Sequence, residues 1–266
     1  MSGKTEERQV LIENDEGVRL IILNRPDRLN ALTDQLMEEL VTSVTEAASD
    51  STVGCVVITG AGRGFCAGGD VKEGSARALV PSNERGGRVE QNFTRLRGFM
   101  ETSRLLHEMP KPTIAMVNGP VAGAGIGIAG ACDLRFASES ATFLSAFDRI
   151  GAGGDFGSTW FWTKILGAGK AREIFLLGEK YSAQEALEMG IYTKLFTEDK
   201  LHAHTMEVAR RLAGGRRTAY RYMKANLNMA EDAAFEAALD QEALNMGLSI
   251  MASAAIYKAE NSPGRE

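Results

Sequence analysis

The clearest fold signal in this chain is the segment Val117-Asn-Gly-Pro-Val-Ala-Gly-Ala-Gly-Ile-Gly-Ile-Ala-Gly-Ala-Cys-Asp133. It runs from an apolar strand through a turn rich in glycine and alanine into the start of a helix. The first glycine-rich segment in chain order, Thr59-Gly-Ala-Gly-Arg-Gly-Phe-Cys-Ala-Gly-Gly-Asp70, also follows an apolar strand, and the segment quoted above is the second. Two such loops, each at the end of a strand, can direct unpaired backbone N–H groups at one point from two sides. The pattern therefore predicts a site that holds an oxyanion.

Apolar strands alternate with helical segments in the front part of the chain, which predicts a parallel or mixed α/β sheet. Strands are expected at residues 10–13, 18–23, 55–59, 113–117 and 134–137. Thr33 has the character of an N-cap for a helix that reaches residue 48, because an apolar stripe follows it. Further helices are expected at 93–107, after the second glycine-rich loop, and at 170–177, 183–189, 200–212, 220–228 and 233–259. We therefore divide the chain into an α/β core, residues 1–200, and a C-terminal helical region, residues 201–266.

Composition excludes several classes of function. With 44% hydrophobic and 24% charged residues, the chain has an ordinary globular composition. The net charge of -5 and the lack of a basic stripe argue against a nucleic-acid partner. The three cysteines show no CxxC spacing, which indicates reduced thiols and a cytoplasmic protein. The three histidines are not spaced as ligands, so no metal site is predicted.

Two other interpretations of the second glycine-rich segment are disfavoured. Residues 114–131 are mildly apolar, but Asn118, Pro120 and the glycines make a poor membrane helix, so no membrane association is expected. Gly125-Ile-Gly-Ile-Ala-Gly130 matches the G-x-G-x-x-G fingerprint of dinucleotide binding. However, the strand ends at Val117, well before Gly125, and a strand-end carboxylate for the ribose is missing. We therefore expect no nicotinamide cofactor.

Four motifs together resemble the enoyl-CoA hydratase/isomerase (crotonase) superfamily. They are Leu23-Asn-Arg-Pro-Asp-Arg-Leu-Asn-Ala-Leu32, Phe65-Cys-Ala-Gly-Gly-Asp70, Lys111-Pro112, and Val117-Asn-Gly119 with Cys132-Asp133. Their order and spacing hold from about residue 10 to residue 196. Within the superfamily, the isomerase-type members that act on dienoyl-CoA or on a phenylacetate-pathway epoxide-CoA are the most similar.

The resemblance implies a fold of repeated ββα units with a C-terminal helical region, assembled as a trimer or hexamer. It also implies an acyl-CoA thioester as substrate, with no cofactor beyond the coenzyme A that the substrate carries. The backbone N–H groups of Gly69 and Ala124 match the positions that polarise the thioester carbonyl and stabilise the enolate formed from it. The residues expected to contact CoA or substrate are Arg28, Ala67, Asp70, Val71 and Phe147. The polar segment 77–88 is expected to form part of the acyl pocket as a mobile loop.

This chain departs from the hydratases of the superfamily at both of their catalytic glutamates. Gly127 and Phe147 occupy the matching positions, and neither can move a proton. Water activation needs a base within hydrogen-bond reach. A conventional hydratase is therefore disfavoured.

Asp155 occupies a third carboxylate position, at which dienoyl-CoA isomerases and 4-chlorobenzoyl-CoA dehalogenases carry an aspartate. Dehalogenation is disfavoured, because the dehalogenases pair this aspartate with a histidine where Gln91-Asn92-Phe93 stands and have tryptophan at Phe147. The competing interpretation of Asp155 is an N-cap for a helix that begins at residue 156, a role for which aspartate is well suited. The nearby Phe147, Phe156 and Trp160 would desolvate the carboxylate and raise its pKa.

The sequence thus predicts an acyl-CoA isomerase with Asp155 as its single proton shuttle. An enzyme of the same family that hydrolyses or cleaves a CoA thioester is the first alternative. A non-catalytic acyl-CoA-binding subunit is the alternative from another class. Of the rival acids, Asp133 is expected to be structural and Asp148 to form a surface or interface ion pair.

Overall fold

The computed structural model describes residues 8–70 and 87–260. The strands of this part of the chain are Val10–Asp15 (β1), Val18–Leu23 (β2), Cys55–Gly60 (β3), Thr113–Val117 (β4), Val121–Ala122 (β5), Leu134–Ser138 (β6), Thr142–Leu144 (β7), Lys180–Ser182 (β8) and Lys194–Phe196 (β9). The helices are Asp34–Ser49 (α1), Gly87–Phe99 (α2), Glu101–Glu108 (α3), Ala124–Gly130 (α4), Ser158–Leu177 (α5), Ala183–Glu188 (α6), Glu198–Ala213 (α7), Arg217–Ala230 (α8) and Phe235–Glu260 (α9).

The strands form two sheets. The larger sheet has the order β1-β2-β3-β4-β6-β9, in which only β1 and β2 pair antiparallel. The smaller sheet has the order β5-β7-β8. Pairs of strands followed by a helix recur along the chain, as in β4-β5-α4 and β6-β7-α5. This arrangement is the predicted α/β fold of repeated ββα units.

Side chains alternate between the two faces of the large sheet, because successive residues of a strand point to opposite sides. In β3, Val56 and Ile58 join the main core, while Cys55 and Val57 join a second core under α7. The other central strands follow the same alternation. Helices therefore cover both faces of the sheet, as a buried parallel sheet requires.

The predicted first helix is confirmed, including its cap. Thr33 precedes α1, and its Oγ1 accepts a hydrogen bond of 3.1 Å from the backbone N–H of Leu36. The single helix predicted over residues 93–107 is instead two helices, α2 and α3, with a break at Met100. The strands β5, β7, β8 and β9 were missed, because two or three residues are too few to show a period of two.

A buried lysine, Lys224, links the C-terminal helix α8 to the core. Lys224 of α8 donates to the carbonyl oxygens of Leu106 (2.8 Å) and Lys111 (3.2 Å) and to Asp133 Oδ2 (2.9 Å). The same Asp133 oxygen accepts from the backbone N–H of Thr113 at 2.7 Å. The expectation that Asp133 is structural is therefore confirmed.

The faces of α8 and α9 remain apolar and open in the single chain. Four of their apolar residues are exposed by between 43% and 73%: Met223, Leu227, Phe235 and Leu239. No helix within residues 8–70 and 87–260 is long and apolar enough to cross a membrane. The expected acyl-pocket loop, 77–88, lies outside the described residues except for its last two positions, which begin α2.

Candidate active site

Two asparagine side chains hold the first glycine-rich loop, which follows β3. The Nδ2 of Asn30 donates to the carbonyl oxygens of Ala61 (3.0 Å) and Gly64 (2.8 Å). The Nδ2 of Asn118 donates to those of Gly60 (2.9 Å) and Gly62 (2.8 Å). These bonds satisfy carbonyl groups that leave the sheet at the end of β3. Both asparagines stand in the quoted motifs, but their positioning role was not recognised from the sequence.

The first loop lies directly against the turn that opens α4. Gly68 has a φ of +88°, and a Cβ atom there would lie 3.1 Å from the Ala122 carbonyl oxygen and 3.4 Å from the Ala124 nitrogen. Ala122 N–H also donates to the Cys66 carbonyl oxygen at 2.9 Å. Because glycine adopts positive φ without strain and has no side chain, the two loops can approach this closely.

The approach leaves the two predicted donors free. The neighbours of Gly69 are fixed by hydrogen bonds of 2.8 Å from Leu32 N–H to the Gly68 carbonyl and 2.9 Å from Asp70 N–H to the Leu32 carbonyl. Ala124 is the first residue of α4, where an N–H has no partner within the helix. Within the described part of the chain, neither the Gly69 nor the Ala124 N–H donates to another group. The structure thus brings these two N–H groups into neighbouring loops.

Asp70 faces into the protein. Its Oδ2 lies 2.8 Å from Arg25 Nη1, and the two side chains are only 7% and 11% exposed. Arg25 Nη1 also donates to the Ala31 carbonyl oxygen at 2.7 Å. The structure therefore places this predicted substrate-binding carboxylate in a buried ion pair that holds the segment bearing Gly69.

Two further predicted CoA contacts, Arg28 and Ala67, lie exposed in neighbouring segments. Arg28 ends a short 3-10 helix and is exposed, as is Ala67. The Ala67 N–H donates to the Leu29 carbonyl oxygen at 2.9 Å, which brings the two segments side by side. Val71 lies outside the described residues.

Asp155 lies in the turn before α5, with one carboxylate oxygen enclosed. The residue is half-buried, and Oδ1 is buried without a hydrogen-bond partner among the described residues. Helix α5 begins at Ser158, its N-cap is Gly157, and no side chain caps it. The interpretation of Asp155 as a helix cap is therefore wrong, because its side chain bonds none of the first-turn N–H groups.

Burial raises the pKa of the Asp155 carboxyl from 3.8 to about 6. Desolvation has this effect because it disfavours the charged form. The buried Phe156 follows directly in the chain, and the raised pKa agrees with the effect expected from aromatic neighbours. Burial, together with the charge of Asp155, also raises the pKa of the Cys66 thiol, to about 12. The charge of Asp155 thus acts on one residue of the first loop, Cys66.

The two positions that match the hydratase glutamates, 127 and 147, are both closely surrounded by other residues. A Cβ atom on Gly127 would lie 2.8 Å from the Cβ atom and the carbonyl oxygen of Phe156. Phe147 is 4% exposed, and its ring stacks on that of Phe175 with centroids 5.9 Å apart. The structure therefore places the Phe147 ring in the core, and Asp148 beside it is exposed.

A cavity of about 660 Å³ lies between α3, the start of α5 and the end of α8. Its lining includes the His107–Glu231 pair, with Nε2 and Oε2 3.2 Å apart, and the aromatic rings of Trp160 and Phe161. None of Gly69, Ala124 and Asp155 lines it. The described residues contain no group of three or more histidine, cysteine, aspartate or glutamate side chains that could hold a metal ion.

The fold and these two loops define an acyl-CoA-processing enzyme of the crotonase superfamily. The model of the enoyl-CoA hydratase/isomerase family matches residues 13–258, and the chain belongs to this family. The resemblance drawn from the sequence motifs is thereby confirmed.

Named relatives include isomerase-type members. The chain is 34% identical to 1,2-epoxyphenylacetyl-CoA isomerase of Escherichia coli (strain K12), over 88% of this chain and 87% of that protein. It is 30% identical to 4-chlorobenzoyl coenzyme A dehalogenase-1 of Arthrobacter sp, over 93% and 88%. Among solved structures, an enoyl-CoA hydratase of Mycobacterium smegmatis superposes with a TM-score of 0.83 at 26% identity, covering 96% of this chain and 95% of that one.

Proposed function

We propose that this protein is an acyl-CoA isomerase that moves a double bond through an enolate. Asp155 removes a proton from the carbon that the thioester activates, and the electron pair passes to the thioester oxygen. The N–H groups of Gly69 and Ala124 donate to that oxygen. Asp155 then returns a proton, which can exchange with solvent while it is on the carboxyl group, to another carbon of the enolate system, so in H2O the substrate and product have the same mass.

The observation that carries this proposal is the state of Asp155. It is a desolvated carboxylate with one oxygen that has no hydrogen-bond partner within residues 8–70 and 87–260, and its turn packs on the helix that begins with Ala124. With a pKa of about 6, Asp155 titrates within about one pH unit of neutrality and is mainly ionised at pH 7. Such a group accepts a proton more readily than an ordinary aspartate and still releases it, which a single-base shuttle requires.

The comparisons with relatives bear on which acyl-CoA reaction the protein carries out. The similarity to a 1,2-epoxyphenylacetyl-CoA isomerase favours rearrangement of a ring-epoxide CoA thioester as the alternative isomerase reaction. The similarity to a dehalogenase is weaker support for its reaction, because Gln91, Asn92 and Phe93 of α2 include no histidine. Two alternatives to an isomerase remain. One is hydrolysis or cleavage of a CoA thioester, with Asp155 orienting water, and the other is acyl-CoA binding without catalysis.

We further propose a cytoplasmic trimer or hexamer that uses no cofactor beyond the CoA of its substrate. The exposed apolar side chains of α8 and α9 support assembly, because oligomers bury such surface. The three cysteines are buried and free, which suits a reducing compartment.

The test is incubation of the pure protein in D2O with 3-enoyl-, 2-enoyl- and ring-epoxide-CoA, followed by chromatography and mass spectrometry. The proposal expects a product of changed retention that differs in mass only by exchanged deuterium. A gain of one water indicates a hydratase, and free CoA indicates a hydrolase. Unchanged thioesters in the presence of demonstrated CoA binding would leave the non-catalytic subunit as the better conclusion.

A further inference from the structure

The turn that carries Asp155 packs on α4 at Gly127. A Cβ atom built there meets the Phe156 Cβ and carbonyl oxygen at 2.8 Å and the Asp155 carbonyl oxygen at 3.1 Å. Carbon atoms in contact prefer a separation of about 3.5–4.0 Å. Two of the three contacts are with backbone atoms, which cannot turn away as a side chain end can.

The turn has little freedom to withdraw from α4. Phe156 has a φ of +48°, a conformation that a bulky residue adopts only when its surroundings impose it, and its side chain is 1% exposed. Gly154 and Gly157 on either side also have positive φ angles, +105° and +73°. Beyond the turn, Trp162 Nε1 donates to the Ile126 carbonyl oxygen at 3.1 Å, which fixes α5 to α4 next to Gly127.

We propose that Gly127 is a positioning residue for Asp155: the bare backbone at 127 lets the Asp155 turn sit on α4, and a side chain there displaces the carboxylate. Asp155 and a side chain at 127 are then mutually exclusive. Adding a carboxylate by Gly127→Glu would not give a site with two acids, because it would move the one already present. The catalytic consequence rests on the proposed function, whereas the geometric claim does not.

The test compares Gly127→Ala with Gly130→Ala, a matched control three residues further along α4. The three atoms nearest to a Cβ at Gly130 are all in side chains, with Phe161 Cβ at 3.1 Å and Trp162 Cε2 at 3.3 Å the closest. In both variants alanine has the higher helix propensity, so propensity alone favours folding equally. A difference between them therefore reports the contact with the Asp155 turn.

The first readout is the carboxyl pKa of Asp155, measured by NMR on protein labelled with 13C at the aspartate side chains. The Asp155→Asn variant identifies its resonance. In the native protein burial raises this pKa to about 6, and the Cys66 thiol nearby stays neutral over this range because its own pKa is about 12. We expect Gly127→Ala to lower the Asp155 pKa toward the ordinary 3.8, and Gly130→Ala to leave it unchanged. Equal pKa values in the native protein and Gly127→Ala would overturn the proposal.

The second readout is turnover. A misplacement of about 1 Å can slow a reaction on the order of a hundredfold, so kcat of Gly127→Ala should fall by about that factor. The Kd for a non-reactive CoA thioester should stay within a few-fold, since the proposed CoA contacts Arg28 and Ala67 are not in α4 or the Asp155 turn. If Asp155→Asn remains active, the proposed function fails, and the NMR titration still judges the role of Gly127.

A second variant pair covers the case in which Gly127→Ala does not fold. Gly127→Ala/Phe156→Gly removes the Phe156 Cβ contact and suits the positive φ at 156, while the contacts with the two carbonyl oxygens remain. The proposal expects a lower Asp155 pKa in this double variant than in Phe156→Gly alone. Equal values in the two would contradict it.

Discussion

The replacement Asp155→Asn removes the proton acceptor while keeping the shape of the side chain. An amide cannot accept the proton, so the enolate cannot form by this route. Loss of a general base typically slows a reaction by about a hundredfold to ten-thousandfold, and we expect at least the lower figure in kcat. Exchange of solvent deuterium into the substrate should fall in parallel, because the same group removes and returns the proton.

The pH dependence of activity provides a second signature. Asp155 must be ionised to accept a proton, and burial raises its pKa to about 6. The kcat/KM of the native protein should therefore decline as pH falls through about 6, well above the range in which an ordinary aspartate titrates. This acid limb should be absent from the residual activity of Asp155→Asn.

The contribution of Asp155 to stability should change with pH in the direction opposite to that of a salt-bridged aspartate. Its pKa is higher in the folded protein than in the unfolded chain, so the folded state binds more protons between pH 3.8 and about 6. Stability consequently falls as pH rises through that window and then stays level. The shift corresponds to at most about 3 kcal/mol, and Asp155→Asn would regain part of it, since an unpartnered amide itself costs about 1–3 kcal/mol.

The assay is deuterium exchange and turnover on the best CoA substrate, with urea unfolding of both proteins at pH 4 and pH 7. Asp148→Asn is the matched control, because Asp148 is exposed in the preceding segment, and its kcat should stay within a few-fold. Turnover retained by Asp155→Asn would refute the proposed role. So would a variant whose free energy of unfolding, expressed as a difference from that of the native protein, is lower at pH 7 than at pH 4.

Three further predictions test other parts of the molecule. Ala124→Pro removes one proposed oxyanion donor at the first position of α4, where proline is tolerated, and kcat should fall by about 10²–10³ with the fold intact; unchanged turnover would remove Ala124 from the site. Lys224→Met leaves Asp133 and two carbonyl oxygens without their cation, and should destabilise the protein by about 3 kcal/mol in urea unfolding; a shift well under 1 kcal/mol would mean that α8 is held mainly by other contacts. Light scattering at micromolar concentration should give three or six times 28.7 kDa, and a single 28.7 kDa species would contradict the assembly proposed for α8 and α9.

The sequence by itself determined the framework of the protein. The apolar runs that become β2, β3 and β4 and the threonine that caps α1 were predicted to within one or two residues, because these features depend on local periodicity and capping chemistry. The two glycine-rich loops, the α/β class and the family were likewise evident from residue types in order. The candidate Asp155 came from its position in the family pattern.

Only the tertiary structure decided how these parts act together. Asp155 is suited to cap a helix, yet it does not, because the positive φ angles at Gly154, Phe156 and Gly157 direct the chain so that Gly157 takes the cap position. The inward ion pair of Asp70 with Arg25 and the amide contacts of Asn30 and Asn118 join segments far apart in the chain. No local pattern encodes such contacts, since they depend on where the fold brings two backbones together. The clearest case is Gly127: the sequence showed that it replaces a hydratase glutamate, but only the tertiary structure showed that the Asp155 turn packs against its bare backbone.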